Sequence, residues 1–373
     1  MEIREINTHD KRQVKQFVHL PFLIYEDDIR WVPPLRMDIM KIFNREKYAF
    51  YQHSDAAFFM AFEEDGSPIG RIAWLNNTRY NMLHEEKTAF FYLFECKKDA
   101  KAAKALFQAG EDWAHARGLN KIIGSKGFTP LNGLGMLVEG FDLPPALDQA
   151  YNPPYYPVFM KDMGYTIQRE LLTGRLYSED RIPEKIHYLS ERVQSRFGLR
   201  VDRFTKRSEV KKIVPYLKDL YNSTLTESSG NPAITEEEVK VMAEQLIWFA
   251  DPRLIKILMK DEKAVGLLLA YQNISPAIRK AKGRLFPFGW IHIVKELRHP
   301  RTIDINGSGV IPDYRGLGGT AVLFSEMEKS LLQGEFEYAE MVQIGTENEK
   351  ILRELDSLGI KFNKKHCIFE KKL

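Results

Sequence analysis

The chain has 373 residues, 44% of them hydrophobic and 28% charged, and these proportions argue against wholesale disorder. Its 54 basic and 51 acidic side chains give a net charge of +3, so nothing in the charge balance indicates nucleic acid as the main partner. The length favours two domains, each large enough to bury a core of its own.

Cysteine usage and hydropathy indicate the compartment. Cys96 and Cys367 are far apart and form no CxxC pair, which leaves a zinc ribbon or a dithiol redox site without support. The N-terminus is charged and lacks the apolar core of a signal peptide. The longest apolar run, residues 264–271, is too short to span a bilayer. We therefore expect a cytoplasmic protein with no membrane partner; its oligomeric state is not indicated.

The first half of the chain alternates strand and helix signals. Its predicted elements are a strand over 1–6, a helix from Asp10, strands over 56–64 and 68–77, a strand over 88–96, a helix over 99–119, a strand over 120–125, a short helix ending at Gly164 and a strand over 166–177. The second and third strands flank an Asp-Gly turn, which is typical of a hairpin. Aspartate is a preferred N-cap residue, so Asp99 is the predicted N-cap of the helix over 99–119, and Gly118 suits the position just past its end.

The second half repeats this order after a charged, proline-containing segment over 178–185. Its predicted elements are a strand over 199–205, helices over 208–225 and 235–249, strands over 253–260 and 264–273, a strand over 301–311, a helix over 320–332, a strand over 337–345, a helix over 347–359 and a strand over 365–373. Each half therefore reads β–α–β–β–β–α–β–α–β. We predict an α/β fold with mixed sheets in two tandem domains, 1–178 and 179–373; a single large mixed sheet is the alternative.

The segment GVIPDYRGLGG, residues 309–319, leads from a predicted strand into a predicted helix. Backbone amides at the start of a helix have no partner within the helix, and the helix dipole adds positive charge there, so such a turn can bind an anion. Gly316, Gly318 and Gly319 would let a phosphate approach the backbone, and Arg315 would add a guanidinium. A simple flexible turn remains open as the other interpretation.

Other glycine motifs fit this turn less well. A Walker loop needs a lysine after its glycines, and none follows here. A dinucleotide fingerprint would come early in a βαβ unit, whereas this turn lies late in a chain whose strands arrive as hairpins.

The turn and its flanks resemble the acyl-CoA pyrophosphate loop of the GNAT N-acetyltransferase superfamily. That loop has Arg or Gln, Gly three residues later, and Gly or Ala two residues after that; Arg315 and Gly318 match, and Thr320 replaces the last residue. Asn348 and Leu358-Gly359 follow at the family's spacing. The resemblance covers at least 253–371, and the first half is similar to a degenerate relative that lacks the loop.

The resemblance implies acyl-CoA, with acetyl-CoA the first candidate, as cosubstrate, and no metal. In the family, the strand before the loop splays from its neighbour and its backbone holds the pantetheine arm and the thioester. The cosubstrate-binding residues implied by position are Val310, Arg315, Leu317, Gly318, Gly319, Thr320 and Asn348. Asp304 or Ser308 would serve the amine, directly or through water, and strand alternation would place Asp304, Asn306 and Ser308 on one face. A solvated strand residue is the alternative interpretation of Asp304.

The chain departs from the family at one catalytic position. The family's tyrosine, which protonates the leaving thiolate, falls on Leu355 here, and leucine cannot donate a proton. Tyr314 and Tyr338 are near in sequence but have plain packing explanations. Tyr155 and Tyr156, in YNPPYYP, suit either a cleft wall or an aromatic–proline packing corner.

Three functions remain after this comparison. The first is an N-acyltransferase that acetylates a small-molecule or peptide amine, with one acyl-CoA-binding domain and one degenerate domain. The second is a non-catalytic acyl-CoA-binding or interaction protein on the same scaffold. The third is a transferase that uses aminoacyl-tRNA, against which the nearly neutral charge weighs.

Two further features have open interpretations. The basic run over 276–284 suits a solvated face, or a site for the 3′-phosphate of CoA or an acidic substrate. The aromatic segment GRLFPFGW, residues 283–290, suggests an apolar lid or pocket wall. His292 and His299 lack a third ligand at metal spacing, so they do not indicate a metal site.

Overall fold

The computed structural model describes residues 1–130, 132–224, 230, 232–249 and 251–373, without the side chains of 241 and 245–249. The chain forms two compact units, and each is discontinuous in sequence. The first unit contains Met1–Leu171, Ser275–Glu296 and Lys364–Leu373, and the second contains Leu172–Ile274 and Leu297–Asn363. This division differs from a single break after residue 178, because the first change of unit falls within a strand and two later segments pack into the first unit.

The first unit contains strands from both ends of the chain. Its elements are β1 (Glu2–Glu5), α1 (Lys11–Ile24), α2 (Arg36–Lys41), β2 (Asp55–Phe62), β3 (Pro68–Asn76), α3 (Thr78–His84), β4 (Thr88–Cys96), α4 (Ala100–His115), β5 (Lys121–Gly124), β6 (Met136–Glu139), α5 (Tyr155–Asp162), the start of β7 (Thr166–Tyr177), and, from the later segments, α10 (Ser275–Lys280), most of α11 (Gly289–Arg298) and the end of β13 (Lys361–Lys372).

Local chemistry explains where several of these elements begin and turn. The Asp10 carboxylate accepts from the Arg12 amide at 2.8 Å and so caps α1. Gly66 has a φ of +83°, which a residue without Cβ adopts easily, and it closes the turn between β2 and β3. The predicted hairpin is confirmed, and α1 begins next to Asp10, where a helix was predicted.

The first unit has a mixed sheet in the order β1-β2-β3-β4-β5-β13, with β6 also paired to β13. The β4–β5 pair is parallel, and β1–β2, β2–β3, β3–β4 and β5–β13 are antiparallel. Helix α4 packs so closely on this sheet that a Cβ on Gly110 would lie 1.7 Å from the Trp74 ring. The other face packs on α1, where Phe17 meets Phe58 edge-on with ring centroids 5.5 Å apart. Both faces are therefore buried.

The second unit has the same general design. Its elements are the end of β7, α6 (Glu184–Phe197), β8 (Leu199–Arg203), α7 (Arg207–Val210), α8 (Val214–Thr224), α9 (Glu236–Phe249), β9 (Ile255–Lys260), β10 (Lys263–Gln272), β11 (Thr302–Val310), α12 (Gly319–Gln333), β12 (Tyr338–Gly345), α13 (Glu349–Ser357) and the start of β13. Strands β8 to β12 are neighbours in the order β8-β9-β10-β11-β12, and only β11–β12 among these pairs is parallel.

Some elements differ from the sequence prediction. Helix α6 was not predicted, because its proline and charged first turn resemble a linker; its buried Ile186 and Val193 anchor it to the core instead. The helix predicted over 208–225 is divided into α7 and α8, and residue 225 lies outside the described residues. Each unit nevertheless has the mixed α/β architecture predicted.

Helix length and polarity bear on the membrane question. Within the described part of the chain, no helix combines the length and the apolar character that crossing a bilayer requires.

Candidate functional site

Strands β11 and β12 separate halfway along their length. They pair in parallel only from Thr302 with Tyr338 to Ile305 with Met341. Strand β11 continues to Val310 and β12 to Gly345, and over these fully described stretches the two strands have no paired residues. The edge of β11 that faces β12 is therefore not used by that strand beyond Ile305, as expected of the splayed strands that the resemblance implies.

A bulge shifts the faces of β11. Gly307 pairs with Leu269 and Ile305 pairs with Ala270, so Asn306 is the extra residue. Facing residues in an antiparallel pair project to the same side of the sheet. Gly307 is therefore on the same face as Asp304, and Ser308 is on the opposite face. The expectation that residues 304, 306 and 308 share one face is therefore wrong.

Asp304 is buried among polar side chains of the second unit. Its side chain is 0% exposed, and the Asn273 amide donates to Asp304 Oδ1 at 3.1 Å. The buried Glu340 lies directly across on β12 and pairs with Arg175, whose Nε is 3.1 Å from Glu340 Oε1. Asp304 therefore belongs to a packed polar layer, whereas Ser308 is half-buried and closer to the glycine turn.

Two glycines in the turn after β11 have backbone angles that suit only glycine well. Gly316 has a φ of +79° and Gly318 a φ of +88°. A Cβ on Gly318 would lie 2.8 Å from Val193 Cγ2, and one on Gly319 would lie 2.8 Å from Leu258 Cδ2. Backbone conformation therefore favours glycine at 316 and 318, and close packing favours glycine at 318 and 319.

Helix α12 begins without a side-chain cap. Its N-cap is Gly318, and its first turn contains no acidic residue. The first bonded amide is that of Val322, which donates to the Gly318 carbonyl at 3.3 Å. Within the described residues, the backbone amides of 316–321 donate to no acceptor. Unbonded amides beside the positive end of a helix dipole are an arrangement that can bind an anion, so this turn is the candidate site.

Two cationic side chains flank this turn. The Arg315 guanidinium donates from Nε to the Val310 carbonyl at 3.1 Å and from Nη2 to the Ser223 carbonyl at 3.5 Å. The exposed Lys350 ammonium lies 3.9 Å from where a Cβ on Gly316 would be. Sequence reasoning missed Lys350. Its only signal in the sequence is a lysine two residues after Asn348, and a single lysine does not distinguish a binding residue from an ordinary surface residue.

The remaining family positions have clear structural roles. The Asn348 carboxamide oxygen accepts from the Ile351 amide at 3.2 Å and caps α13. Leu355 is 2% exposed and packs in the core of the second unit, and its aliphatic side chain has no proton to donate. Tyr338 packs under the Arg175 guanidinium, whose carbon is 4.2 Å from the ring centroid.

The equivalent turn of the first unit is closed. Strand β4 also pairs in parallel with β5 over only four residues, from Thr88 to Phe91. Its helix, α4, is capped by Asp99, which accepts from the Lys101 and Ala102 amides at 2.8 and 3.0 Å. The predicted N-cap role of Asp99 is thus confirmed, and a carboxylate of the chain itself occupies the anion position.

Tyrosines of α5 occupy the end of β4. The Cys96 amide donates to Tyr156 Oη at 2.6 Å, and Tyr155 Oη donates to the Cys96 carbonyl at 2.9 Å. Tyr156 is buried, as a packing corner requires. Its hydroxyl and that of Tyr25 donate to Glu95 at 2.9 and 2.7 Å, and burial raises the pKa of Glu95 to about 7.

Two curated proteins are similar in sequence, and no family model matches the chain. Protein YghO of Escherichia coli is 25% identical over 376 residues, covering 98% of this chain and 94% of that protein. A bacterial ceramide synthase of Caulobacter vibrioides is 27% identical over 290 residues, covering 77% of this chain and 74% of the synthase.

Solved structures identify the fold. A tandem GNAT protein from the clavulanic acid biosynthesis pathway superposes with a TM-score of 0.57 at 12% identity, covering 100% of this chain and 98% of its own. A GCN5-related N-acetyltransferase from Sphaerobacter thermophilus gives 0.53 at 13% identity, covering 100% and 95%. The chain thus has the fold of the GCN5-related N-acetyltransferases, in the tandem form that the sequence predicted.

Proposed function

We propose that the protein is an acyl-CoA-dependent N-acyltransferase whose second unit binds the cosubstrate. The observation that carries this proposal is the uncapped N-terminus of α12, with the amides of 316–321 available beside a splayed pair of strands. An acyl-CoA molecule has a diphosphate for the amides and a pantetheine arm whose own amides can pair with a strand edge.

The binding roles follow from position. The amides of Leu317, Gly318, Gly319 and Thr320 would hold the diphosphate oxygens, with Arg315 as an added cation. Lys350 would supply a second cation beside Gly316. The Val310 end of β11 would pair with the pantetheine arm. Asn348, fixed as a helix cap, would face the thiol end without changing its conformation.

The chemistry needs one nucleophile and two proton movements. The neutral acceptor amine attacks the thioester carbonyl and a C–N bond forms; the nitrogen releases a proton to a base, the C–S bond breaks, and the thiolate takes up a proton. Backbone amides near the end of β11 would polarise the carbonyl. Ser308, which is half-buried, is better placed than the buried Asp304 to contact the amine. With Leu355 in the core, the thiolate leaves without a tyrosine at that position.

The acceptor and the acyl group belong to the same proposal. Ceramide is an N-acylated lipid amine, so the name of the Caulobacter relative favours a long-chain amine over a peptide. Acetyl-CoA is the first acyl donor to test, and longer acyl-CoA molecules follow from the same comparison. We place the reaction in the cytoplasm, which suits two buried, unpaired cysteines.

Calorimetric titration tests the binding step directly. Acetyl-CoA should bind, and acetyl-pantetheine, which lacks the diphosphate, should bind at least about 100-fold more weakly because it cannot use the amides of the turn. Equal affinities for the two ligands, or no binding of acetyl-CoA, would contradict the proposal.

A release assay separates the enzyme from a non-catalytic binder. Free thiol would be measured with acetyl-CoA or a longer acyl-CoA and a panel of amines: a long-chain amino alcohol, a polyamine, an amino sugar and a peptide. The buried Leu355 is the observation that favours the non-catalytic alternative. Tight binding without thiol release on any amine would establish that alternative.

A further inference from the structure

The segment 275–296 belongs to the first unit and displays a set of aromatic side chains to solvent. Phe286 and Phe288 are 70% and 71% exposed, and Trp290 is 48% exposed. Ile291 and Val294 continue this exposed apolar surface along α11. Large aromatic side chains rarely stand so far out of a protein surface together, and such patches mark interaction sites.

The aromatic turn is an ordered structure. The Trp290 amide donates to the Leu285 carbonyl at 2.9 Å, and its indole Nε1 donates to the Pro287 carbonyl at 3.0 Å. The Ile291 amide donates to the Phe288 carbonyl at 3.1 Å. The rings are therefore held outward by the backbone of the turn itself.

The base of the turn is fixed to the first unit. The Arg36 amide donates to the Gly283 carbonyl at 3.0 Å, and a Cβ on Gly283 would lie 2.5 Å from the Pro34 carbonyl oxygen. Arg279 donates to the Ile29 carbonyl. These contacts give the exposed rings a rigid support.

The charged side chains within residues 275–295 have a single sign. Residues 275–295 contain no aspartate or glutamate. They contain the basic residues Arg279, Lys280, Lys282, Arg284 and Lys295, each of which is exposed. Arg36 is a further basic group near the turn, because Arg36 and Arg284 both add to the effect of burial in lowering the pKa of the His19 imidazole. Three acidic residues, Glu26, Asp27 and Asp28, precede Ile29, whose carbonyl accepts from Arg279. Of these, Asp28 is paired with Arg30.

This combination fits an anionic lipid surface better than a protein surface. Trp rings concentrate at membrane–water interfaces, where the apolar ring is buried and the indole N–H stays near the headgroups, and Phe side chains accompany Trp on the apolar face of peripheral membrane-binding segments. Neighbouring lysines and arginines are attracted to anionic headgroups, and the two contributions together give peripheral binding without a spanning helix. We infer that residues 279–295 dock the protein onto an anionic phospholipid bilayer, through the rings of Phe286, Phe288 and Trp290 and the adjacent basic side chains. This inference revises the sequence expectation of no membrane partner and does not depend on the acyltransferase proposal.

Vesicle co-sedimentation of the full chain tests the inference. Vesicles of phosphatidylcholine with about one-third phosphatidylglycerol should bind the protein at least about 10-fold more strongly than vesicles of phosphatidylcholine alone. Raising the salt concentration to about 0.5 M should weaken binding severalfold, because the charges are exposed and screened.

Two variants distinguish the parts of the surface. The double variant Phe286→Ser/Phe288→Ser should lose at least about 10-fold in vesicle partitioning, and Lys282→Glu/Arg284→Glu should lose as much on anionic vesicles. The matched control is Met82→Ser/Leu83→Ser, which removes two side chains of the first unit that are 80% and 57% exposed and lie outside the segment. All three variants change exposed residues, so circular dichroism and melting temperature should match those of the unaltered protein.

The outcomes are decisive in either direction. Loss in both surface variants with binding retained in the control supports the bilayer as partner. Absence of binding by the unaltered protein to anionic vesicles, or equal binding by all variants, overturns the inference and leaves the exposed rings to a protein partner.

Discussion

Each unit has a turn that leads from a strand into a helix, and the two helices differ in whether a side chain caps their first turn. In the second unit, a glycine caps α12 and the amides of 316–321 have no acceptor among the described residues. In the first unit, Asp99 caps α4 and accepts from two amides. The strands before both turns are nine residues long and pair with the next parallel strand over only four. The same turn is therefore left without an acceptor for its first amides in one unit and is capped by a carboxylate of the chain in the other.

The strand ends show the same contrast. The Cys96 backbone at the end of β4 bonds to two tyrosine hydroxyls, whereas the Val310 carbonyl at the end of β11 accepts from the flexible Arg315 side chain. A side chain that satisfies backbone groups permanently also excludes a ligand from them. Loss of a ligand site in a duplicated domain can thus be a gain in internal hydrogen bonding.

The largest expected effect comes from placing a carboxylate at the start of α12, as Asp99 does at the start of α4. Thr320→Asp places a carboxylate in the first turn of α12, where it would repel a diphosphate, and acetyl-CoA affinity should fall at least about 100-fold by calorimetry. The fold should be unaffected or slightly more stable, because an acidic residue suits a helix N-terminus. Thr320→Asn, equal in size and uncharged, is the control and should bind within a few-fold of the unaltered protein. Similar affinities for the two variants would show that the turn does not hold the diphosphate.

A smaller loss should follow removal of Arg315, because the first turn has lysines at 97 and 98 but no arginine. Arg315→Ala should weaken acetyl-CoA binding about 10-fold, and Arg315→Lys should recover part of that loss because charge is kept while the planar fork is lost. Binding measured at low and at about 0.5 M salt should show a shallower salt dependence for Arg315→Ala. An unchanged affinity and salt dependence would remove Arg315 from the site.

The first turn should respond in stability and not in binding. Asp99→Ala removes the cap of α4 and should lower the free energy of unfolding by about 1 kcal/mol, measured by urea denaturation followed by tryptophan fluorescence. Asp99→Asn retains an acceptor and should cost only a few tenths of that amount. Acetyl-CoA affinity should stay the same in both variants; a change there would mean that the first unit contributes to the cosubstrate site.

The smallest effect concerns Glu95, whose pKa burial raises to about 7 although the buried Arg71 acts in the opposite direction. Between pH 4.5 and 7 the folded protein keeps a proton that the unfolded chain releases, so this group makes stability fall as pH rises through that window. Glu95→Gln should remove that slope and be more stable than the unaltered protein above pH 7, by about 1 kcal/mol or less. Comparing the two proteins at each pH cancels other titrations, including that of the buried His366. Parallel stability curves would show that Glu95 titrates normally.

Local residue chemistry accounts for what the sequence could predict. Asp10 and Asp99 cap helices through amides two and three residues away, and Gly66 closes a hairpin between adjacent strands. The glycines and arginine of the turn are likewise contiguous, so the fold and the candidate anion site were accessible without coordinates.

What the sequence could not predict depends on distant partners. The bulge at Asn306 is defined by its register with β10, and it moved Ser308 to the other face from Asp304. Lys350 reaches the turn from another helix. The burial of Asp304 depends on Asn273 and on the neighbouring strand, so periodicity alone suggested an accessible carboxylate.

The final ten residues have a consequence for biosynthesis. Lys364–Leu373 pack in the first unit, and there β13 pairs with β5, Phe369 opposite Gly124. In chain order these residues follow the second unit, so the first unit acquires its closing strand only after the second unit has been translated. The first unit is therefore begun before the second unit is synthesised and is completed after it. A chain truncated before residue 364 would leave the backbone edge of β5 open to pairing with other chains.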